Sequence, residues 1–275
     1  MATPADTGTP PVKTARSETG ETLRFLLKLA LFVFILRSFI FSPFSIPSES
    51  MLPRLLIGDY LFVSKWNYGY SRWSLPWGLP LIPGRILPRD PARGDVVVFR
   101  SMGPDDHDVI KRVIGLPGDR VQMRNGQLFL NGRAIPKQRV ADFIVPISPN
   151  FPTEKCGTPF QDVDANGKAI CRYPRFRETL PGGRSYEVLD QENIPEADDT
   201  DVYRVPAGRV FLMGDNRDDS ADSRFAPPVG MGYIPMERIQ GKAIVTFWST
   251  DGSASWLLPW TWFSAARFSR IGQGF

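Results

Sequence analysis

Two serines that could act as nucleophiles, Ser48 and Ser50, lie two residues apart in the segment IPSESMLP, residues 46–53. A serine hydroxyl attacks a carbonyl carbon only when an adjacent base takes its proton. Prolines on both sides stiffen the backbone around the pair. By themselves, polar serines after an apolar segment are more often a plain linker, so the pattern requires a base elsewhere in the chain.

The candidate base is Lys111, in the alternating strand predicted at residues 108–114, where it shares a face with Val109 and Val113. Burial among apolar side chains disfavours the charged ammonium group and lowers its pKa. A neutral lysine can then accept a proton at working pH. The alternation is equally compatible with the reverse arrangement, in which Arg112 points inward and Lys111 points to solvent.

A polar loop, GDNRDDSADSR at residues 214–224, follows a strongly apolar strand. Its composition is typical of a solvated loop. If it is ordered beside a reactive site, it supplies hydrogen-bonding groups and an ion pair between Asp222 and Arg224.

The composition excludes several other kinds of site. The single histidine, His107, lies in a turn-like polar stretch, where we expect a solvated loop residue. One histidine rules out an HExxH metal site, and no GxSxG, Walker or GxGxxG motif occurs. The net charge of +4 is small and forms no basic stripe, so nucleic acid is not an expected partner. We expect no metal and no cofactor.

Short strands bounded by turn residues indicate the fold, and 26 prolines with 24 glycines favour a loop-rich, β-rich chain. We predict a mainly β protein with an antiparallel β-sheet catalytic domain at residues 45–135 and 202–275. A smaller β subdomain is inserted at residues 136–201. The strands are predicted at residues 60–63, 95–99, 108–114, 127–130, 209–213 and 243–248.

The N-terminal region divides into a disordered tail at residues 1–22 and an apolar segment at residues 23–44. About 20 residues are needed to span a bilayer, and the segment is just long enough. It could be a cleaved signal peptide, a buried helix or an uncleaved transmembrane helix. We favour a single transmembrane anchor, because no small-x-small cleavage site follows it. We expect a cytoplasmic N-terminus, although the flanking charges only suggest this orientation.

The two cysteines, Cys156 and Cys171, close a short polar loop. In an exported domain such a pair predicts one disulfide, and in a reducing compartment it would be two separate thiols. The predicted anchor argues for export and therefore for the disulfide.

The tryptophans are clustered, and Trp prefers the headgroup region of a membrane. We predict that both clusters enter the membrane surface, the alternative being an ordinary aromatic core. The two clusters hold six of the seven tryptophans: Trp66, Trp73 and Trp77, then Trp256, Trp260 and Trp262.

Four motifs, in a fixed order after the predicted anchor, resemble bacterial type I signal peptidases (leader peptidases). They are PSESM at 47–51, RGDVVVFR at 93–100, IKRVIGLPGD at 110–119 and GDNRDDSADSR at 214–224. The ending RFSRIG at 267–272 is similar to that of the Gram-negative members.

This resemblance implies a membrane-anchored serine endopeptidase that removes signal peptides from exported pre-proteins. Such enzymes cut after small residues, Ala-x-Ala, with a Ser/Lys dyad. The implied location is the bacterial inner membrane, with one span and the catalytic domain on the periplasmic side. The implied partners are signal peptides and membrane lipid, and the implied state is a monomer.

The resemblance also implies residue roles. Ser50 attacks the scissile carbonyl, and Lys111 takes the serine proton and passes it to the leaving amine. The backbone N–H of Ser50 and the hydroxyl of Ser48 hold the oxyanion. Ser220 orients the Lys111 amine.

Two residues of the polar loop, Asp222 and Arg224, are implied to support the loop rather than to act chemically. Shallow apolar pockets accept the small substrate residues at −1 and −3. Their lining is matched here by Phe44, Ile46, Pro47, Met51, Leu55, Leu61, Val98, Val109 and Ile110.

The chain departs from the family pattern at Glu49, where glycine is usual, and at Asp219, where asparagine is usual. We expect Glu49 to point to solvent. Many Gram-negative members carry two anchors, and only one is visible here. Two other functions are alternatives. A self-cleaving Ser/Lys repressor protease needs a DNA-binding domain and a soluble chain, and neither is apparent. A membrane-tethered scaffold with a degenerate site does not explain why Ser50, Lys111 and Ser220 all match the family.

Overall fold

The computed structural model describes residues 15–102, 107–255 and 257–275. The protein is mainly β. Its α-helices are α1 (Ala15–Ile35), α2 (Pro195–Asp198) and α3 (Thr261–Ala265), and a π-helical turn spans Leu36–Ile40. The strands are β1 (Phe41–Ser45), β2 (Asp59–Ser64), β3 (Tyr70–Ser71), β4 (Arg85–Ile86), β5 (Val96–Arg100), β6 (Asp108–Gly115), β7 (Arg120–Arg124), β8 (Gln127–Leu130), β9 (Arg133–Ala134), β10 (Lys137–Pro146), β11 (Gln161–Val163), β12 (Ala169–Thr179), β13 (Ser185–Leu189), β14 (Tyr203–Arg204), β15 (Arg209–Met213), β16 (Ile234–Pro235) and β17 (Ile239–Ser249).

The largest sheet has seven strands in the order β1-β2-β17-β5-β6-β15-β16, and its neighbouring strands are antiparallel. In the centre, Val97 pairs with Lys111 and Val98 with Ile110. The first four residues of β5 are all buried, which shows that both faces of the sheet are covered there. A covered sheet explains why β5 is a continuous apolar run rather than an alternating one.

Two four-stranded antiparallel sheets and a two-stranded sheet of β3 and β4 complete the fold of the described residues. Strands β10, β12, β11 and β13 form one, and β14, β7, β8 and β9 form the other. The first of these lies entirely within the predicted insertion, residues 136–201. The mainly β, antiparallel fold predicted from the sequence is confirmed.

The N-terminal boundaries differ from the prediction. Residues 15–22, predicted as disordered tail, belong to helix α1, because the last proline of the tail is Pro11 and nothing after it interrupts a helix. Residues 41–44, predicted as the end of the apolar segment, belong to β1. The Phe41 ring packs against Phe62 and Trp66, so pairing with β2 outweighs helix continuation. Residues 1–14 of the predicted tail lie outside the described residues.

The surface of α1 is largely apolar, with more than half of each of the Leu23, Phe25, Leu27 and Phe32 side chains exposed. Within the described part of the chain, none of the helices combines the length and the apolar character that a membrane crossing requires.

Candidate active site

Ser50 lies in the turn that follows β1 and is buried. Its flanks are fixed from both sides. Met51 and Leu55 are buried in an apolar cluster, and the backbone N–H of Leu55 donates to the Met51 carbonyl at 2.9 Å. The backbone N–H of Asn216 donates to the Ser50 carbonyl at 3.1 Å. The serine is therefore held between the core and the polar loop at 214–224.

The Lys111 amine reaches this serine. Its Nζ lies 2.5 Å from Ser50 Oγ, and the lysine side chain is 4% exposed. The contact joins residues 61 positions apart in sequence, on β6 and on the turn after β1. It is the contact that a serine nucleophile and its base require.

Burial lowers the pKa of Lys111 to about 8, and the positive charge of Arg224 acts in the same direction. The negative charges of Asp222 and Asp215 oppose this change. Burial dominates because removal from water penalises only the charged form. A substantial fraction of Lys111 is therefore neutral near pH 8 and can accept a proton.

The two arrangements that the alternation of β6 allowed are both present, since Lys111 and Arg112 are each buried, on opposite faces of the covered sheet. Arg112 donates from Nε and Nη2 to the two carboxylate oxygens of Asp215, at 2.7 and 2.5 Å. The ion pair compensates the guanidinium, whereas the Ser50 hydroxyl is the one hydrogen-bond partner of the Lys111 amine among the described residues. The lysine therefore has no carboxylate in direct contact with it there.

Gly214 and Ser220 complete the contact between the polar loop and the serine. A Cβ atom at Gly214 would lie 2.3 Å from Ser220 Oγ and 2.6 Å from the Ser50 carbonyl oxygen, so only glycine fits. Ser220 is buried, and its Oγ has no hydrogen-bond partner among the described residues. Ser220 is predicted through the family resemblance, whereas Gly214 is not, because its one signal in the sequence is its place at the end of an apolar strand.

The Asp222–Arg224 pair lies inside the loop. Arg224 donates from Nε and Nη2 to the two oxygens of Asp222 at 2.9 and 3.0 Å, and both side chains are fully buried. Asp222 also accepts from the Gly214 backbone N–H at 2.9 Å. Burial alone would raise the pKa of Asp222, but Arg224 and these hydrogen bonds hold it below its ordinary value. The pair fixes the backbone on both sides of Ser220.

A further buried ion pair, between Arg217 and Glu178, was not predicted. Arg217 donates to both oxygens of Glu178 on β12, at 2.8 and 2.6 Å, and the Tyr186 hydroxyl donates to the same carboxylate at 2.6 Å. The Arg217 guanidinium outweighs burial and lowers the pKa of Glu178. The pair connects the polar loop to the inserted sheet, across 39 positions of sequence that no local pattern links.

Ser48 is exposed on the turn beside Ser50. Glu49, which we expected to point to solvent, is instead partly covered, because Lys155 of the inserted segment forms an ion pair with it at 2.9 Å. Asp219, the other departure from the family pattern, accepts hydrogen bonds from Asn216 and Gln191 at 2.9 and 3.2 Å.

Most of the predicted pocket residues meet in one apolar cluster. Pro47 is exposed and, with Ile46, lines a groove of about 730 Å³. Val109 is separated from the set, because successive residues of β6 point to opposite faces and it packs with Val97 on the other side. The clustered residues are Phe44, Ile46, Met51, Leu55, Leu61, Val98 and Ile110.

Cys156 and Cys171 are joined by a disulfide, with Cα atoms 5.8 Å apart, and both are buried. His107 is exposed. The tryptophan clusters are also exposed in part. Trp77 is 92% exposed and Trp260 68% exposed, whereas Trp256 lies outside the described residues.

One group of carboxylates among the described residues has the spacing of a metal site. Asp190, Asp198 and Asp218 place one oxygen each within 4.8 Å of one another, and Lys137 forms an ion pair with Asp190. An acidic cluster without a further indication of a ligand does not define a metal centre.

Comparison with known proteins gives the family. Residues 19–248 match the model of the family described as signal peptidase, peptidase S26. Signal peptidase I of Rickettsia felis is 36% identical over 278 residues, which cover 94% of this chain and 92% of that protein. Signal peptidase I of Rickettsia akari is 38% identical over 248 residues, covering 86% of this chain and 81% of that protein.

A solved structure of a signal peptidase I from Enterococcus faecalis V583 also aligns, at 25% identity and a TM-score of 0.29, over 56% of this chain and 97% of that one. The family match and the curated relatives cover most of the chain, which therefore belongs to the signal peptidase family, peptidase S26. It is a serine endopeptidase, and it removes signal peptides from exported precursors.

Proposed function

We propose that this enzyme cleaves signal peptides with a Ser50–Lys111 dyad. The observation that carries the proposal is the 2.5 Å contact between Lys111 Nζ and Ser50 Oγ in a buried site. Neutral Lys111 takes the hydroxyl proton while Ser50 Oγ bonds to the scissile carbonyl carbon. The tetrahedral intermediate collapses with cleavage of the C–N bond, and Lys111 returns the proton to the leaving amine. Lys111 then takes a proton from water as the water oxygen bonds to the ester carbonyl carbon, and it returns that proton to Ser50 Oγ as the C–O bond of the ester breaks.

The oxyanion of each tetrahedral intermediate is held by the Ser50 backbone N–H and the Ser48 hydroxyl. The exposed position of Ser48 beside the nucleophile supports this role. Ser220 orients the Lys111 amine. Its support is a buried hydroxyl beside Gly214, which also adjoins the Ser50 carbonyl, and this hydroxyl has no other hydrogen-bond partner among the described residues. Asp222 and Arg224 support the loop that carries Ser220.

The substrate is cut after small residues, Ala-x-Ala. Support comes from the packing of the residues assigned to the −1 and −3 pockets, since Met51, Leu55 and Leu61 are at most 1% exposed and leave little room for a large side chain. A bulky substrate side chain would have to displace a packed core.

A pre-protein processing assay tests this function. Full-length enzyme in detergent should release the mature protein from a precursor carrying Ala-x-Ala, with the new N-terminus directly after the −1 alanine. Replacing the −1 alanine of the precursor with leucine should lower kcat/KM at least about a hundredfold, because overpacking costs roughly 1–3 kcal/mol and misplaces the scissile bond. Equal cleavage of both precursors would refute the small-residue specificity.

The pH dependence of kcat/KM tests the lysine base. A group whose pKa is about 8 is increasingly protonated below that pH, and protonated Lys111 cannot take the Ser50 proton. The value of kcat/KM should therefore fall as the pH drops below about 8, and the decrease should approach about tenfold per pH unit. A profile that stays flat between pH 5 and 8 would show that another group is the base.

We further propose that residues 23–44 include a single membrane anchor, with residues 1–22 on the cytoplasmic side and the catalytic domain periplasmic, at the bacterial inner membrane. The exposed apolar side chains of α1 support contact with lipid, as do Trp77 and Trp260 at the surface. The domain division at residues 45–135, 136–201 and 202–275 belongs to the same proposal. The dyad forms within one chain, which supports a monomeric enzyme.

A further inference from the structure

A cavity of about 620 Å³ lies between the largest sheet and the inserted sheet, and its lining is rich in arginine. A volume in the range of about 300–1,000 Å³ is typical of sites for small molecules. Glu187 is the single carboxylate side chain of the lining. The six guanidinium groups belong to Arg54, Arg112, Arg175, Arg177, Arg184 and Arg270.

Five of these arginines have carboxylate partners, three of which lie outside the cavity lining. Arg175 and Arg177 share Glu187 at 2.9 and 3.1 Å. The remaining pairs are Arg112 with Asp215, Arg184 with Asp95 and Arg270 with Asp59, at 2.5, 2.7 and 2.6 Å. Six guanidinium groups therefore face four carboxylates.

Arg54 is the exception. Among the residues that the structure describes, no carboxylate lies within ion-pair distance of its guanidinium, which donates no hydrogen bond and sits 5.0 Å from the centre of the Phe275 ring. Burial lowers the pKa of Arg54, and the positive charges of Arg112 and Arg270 lower it further. Three guanidinium groups thus meet in one half-buried space. Asp215 and Asp59 compensate Arg112 and Arg270, so Arg54 is the charge that an anion placed there would compensate.

We propose that this cavity binds a phosphate-bearing anion, with Arg54 as its principal contact beside Arg112 and Arg270, whose guanidinium groups already bind Asp215 and Asp59. Phosphate presents several strong acceptor oxygens and a double negative charge, and the planar guanidinium group matches its geometry with paired hydrogen bonds. The side chain of Arg112 leaves β6 on the face opposite to Lys111, so a bound anion would not block Ser50. The cavity lining does not include Ser50 or Lys111, and the source of phosphate is either a soluble anion or a lipid headgroup.

Calorimetric titration of the full-length protein with pyrophosphate, at constant ionic strength, tests this site. Wild type should bind saturably, and Arg54→Gln should weaken binding at least tenfold. Arg133→Gln, which removes an exposed arginine from β9, should bind like wild type. Arg184→Gln removes a second guanidinium group from the cavity lining. The Arg184 side chain is 44% exposed, so this substitution should not disturb the core.

Flotation with vesicles separates the two sources. If phosphatidylglycerol vesicles retain wild type more strongly than phosphatidylcholine vesicles, and Arg54→Gln abolishes the difference, the ligand is a headgroup. Pyrophosphate binding without this difference identifies a soluble anion. The proposal is wrong if wild type binds neither probe, or if Arg54→Gln and Arg184→Gln both bind as tightly as Arg133→Gln. Signal-peptide cleavage by these variants is a separate readout of the dyad.

Discussion

Replacing Lys111 with methionine is expected to lower kcat/KM at least about a thousandfold, because loss of one member of a nucleophile–base pair removes most of its joint contribution. Methionine fills a similar volume and suits the buried position, so the fold should survive. Ser50→Ala should have an effect of similar size, and the double variant should be little worse than either single one. The measurement is precursor cleavage with unchanged circular dichroism.

Lys65→Met is the matched control for this experiment. Lys65 is also buried, and burial also lowers its pKa to about 8. Its Nζ lies 3.3 Å from Gln240 Oε1 rather than beside a serine. It should keep cleavage within a few-fold of wild type. Comparable losses in Lys65→Met and Lys111→Met would mean that buried lysines matter for packing here and that the dyad assignment is wrong.

Replacing Glu178 with alanine is expected to destabilise the protein by about 3–5 kcal/mol, because it leaves the buried Arg217 guanidinium without its counter-charge. Chemical denaturation measures the change in the free energy of unfolding. Activity should fall as well, since Arg217 belongs to the loop that carries Ser220.

Asp142→Asn is the comparison for Glu178. Asp142 also pairs with an arginine, Arg139, in the inserted sheet, but both side chains are about a third or more exposed. Water and salt screen such a pair, so its loss should change stability by no more than about 1 kcal/mol. If Glu178→Ala proved as mild as Asp142→Asn, the buried pair would not be what joins the loop to the inserted sheet.

The local patterns of the sequence determined much of the secondary structure. The run at residues 96–99 and the alternation at 108–114 became strands of the largest sheet, because apolar and β-branched side chains fit a pleated, buried surface. The N-terminal boundaries were less accurate. Residues 41–44 continue an apolar run, and their pairing with β2 depends on residues about 20 positions away in sequence.

Burial of Lys111 could not be predicted from its own strand. Alternation could place either Lys111 or Arg112 inward, and only a sheet covered on both faces could bury both. Because of the same alternation, Val109 packs on the face away from the predicted pocket, whereas Ile110 packs with the other predicted pocket residues. Neither result follows from one strand alone, because burial of a face depends on what other elements pack against it.

Six of the strands, the four motifs of the family and the residue types of a serine nucleophile and its base could be predicted from the amino-acid sequence. Which of those side chains meet depends on the tertiary structure. It placed Lys111 Nζ beside Ser50 Oγ, fixed the polar loop through Arg217 and Glu178, and gathered arginines from distant strands around Arg54. The physical reason is that distance and burial set the pKa and the pairing of each charge, and both depend on contacts between residues far apart in the chain.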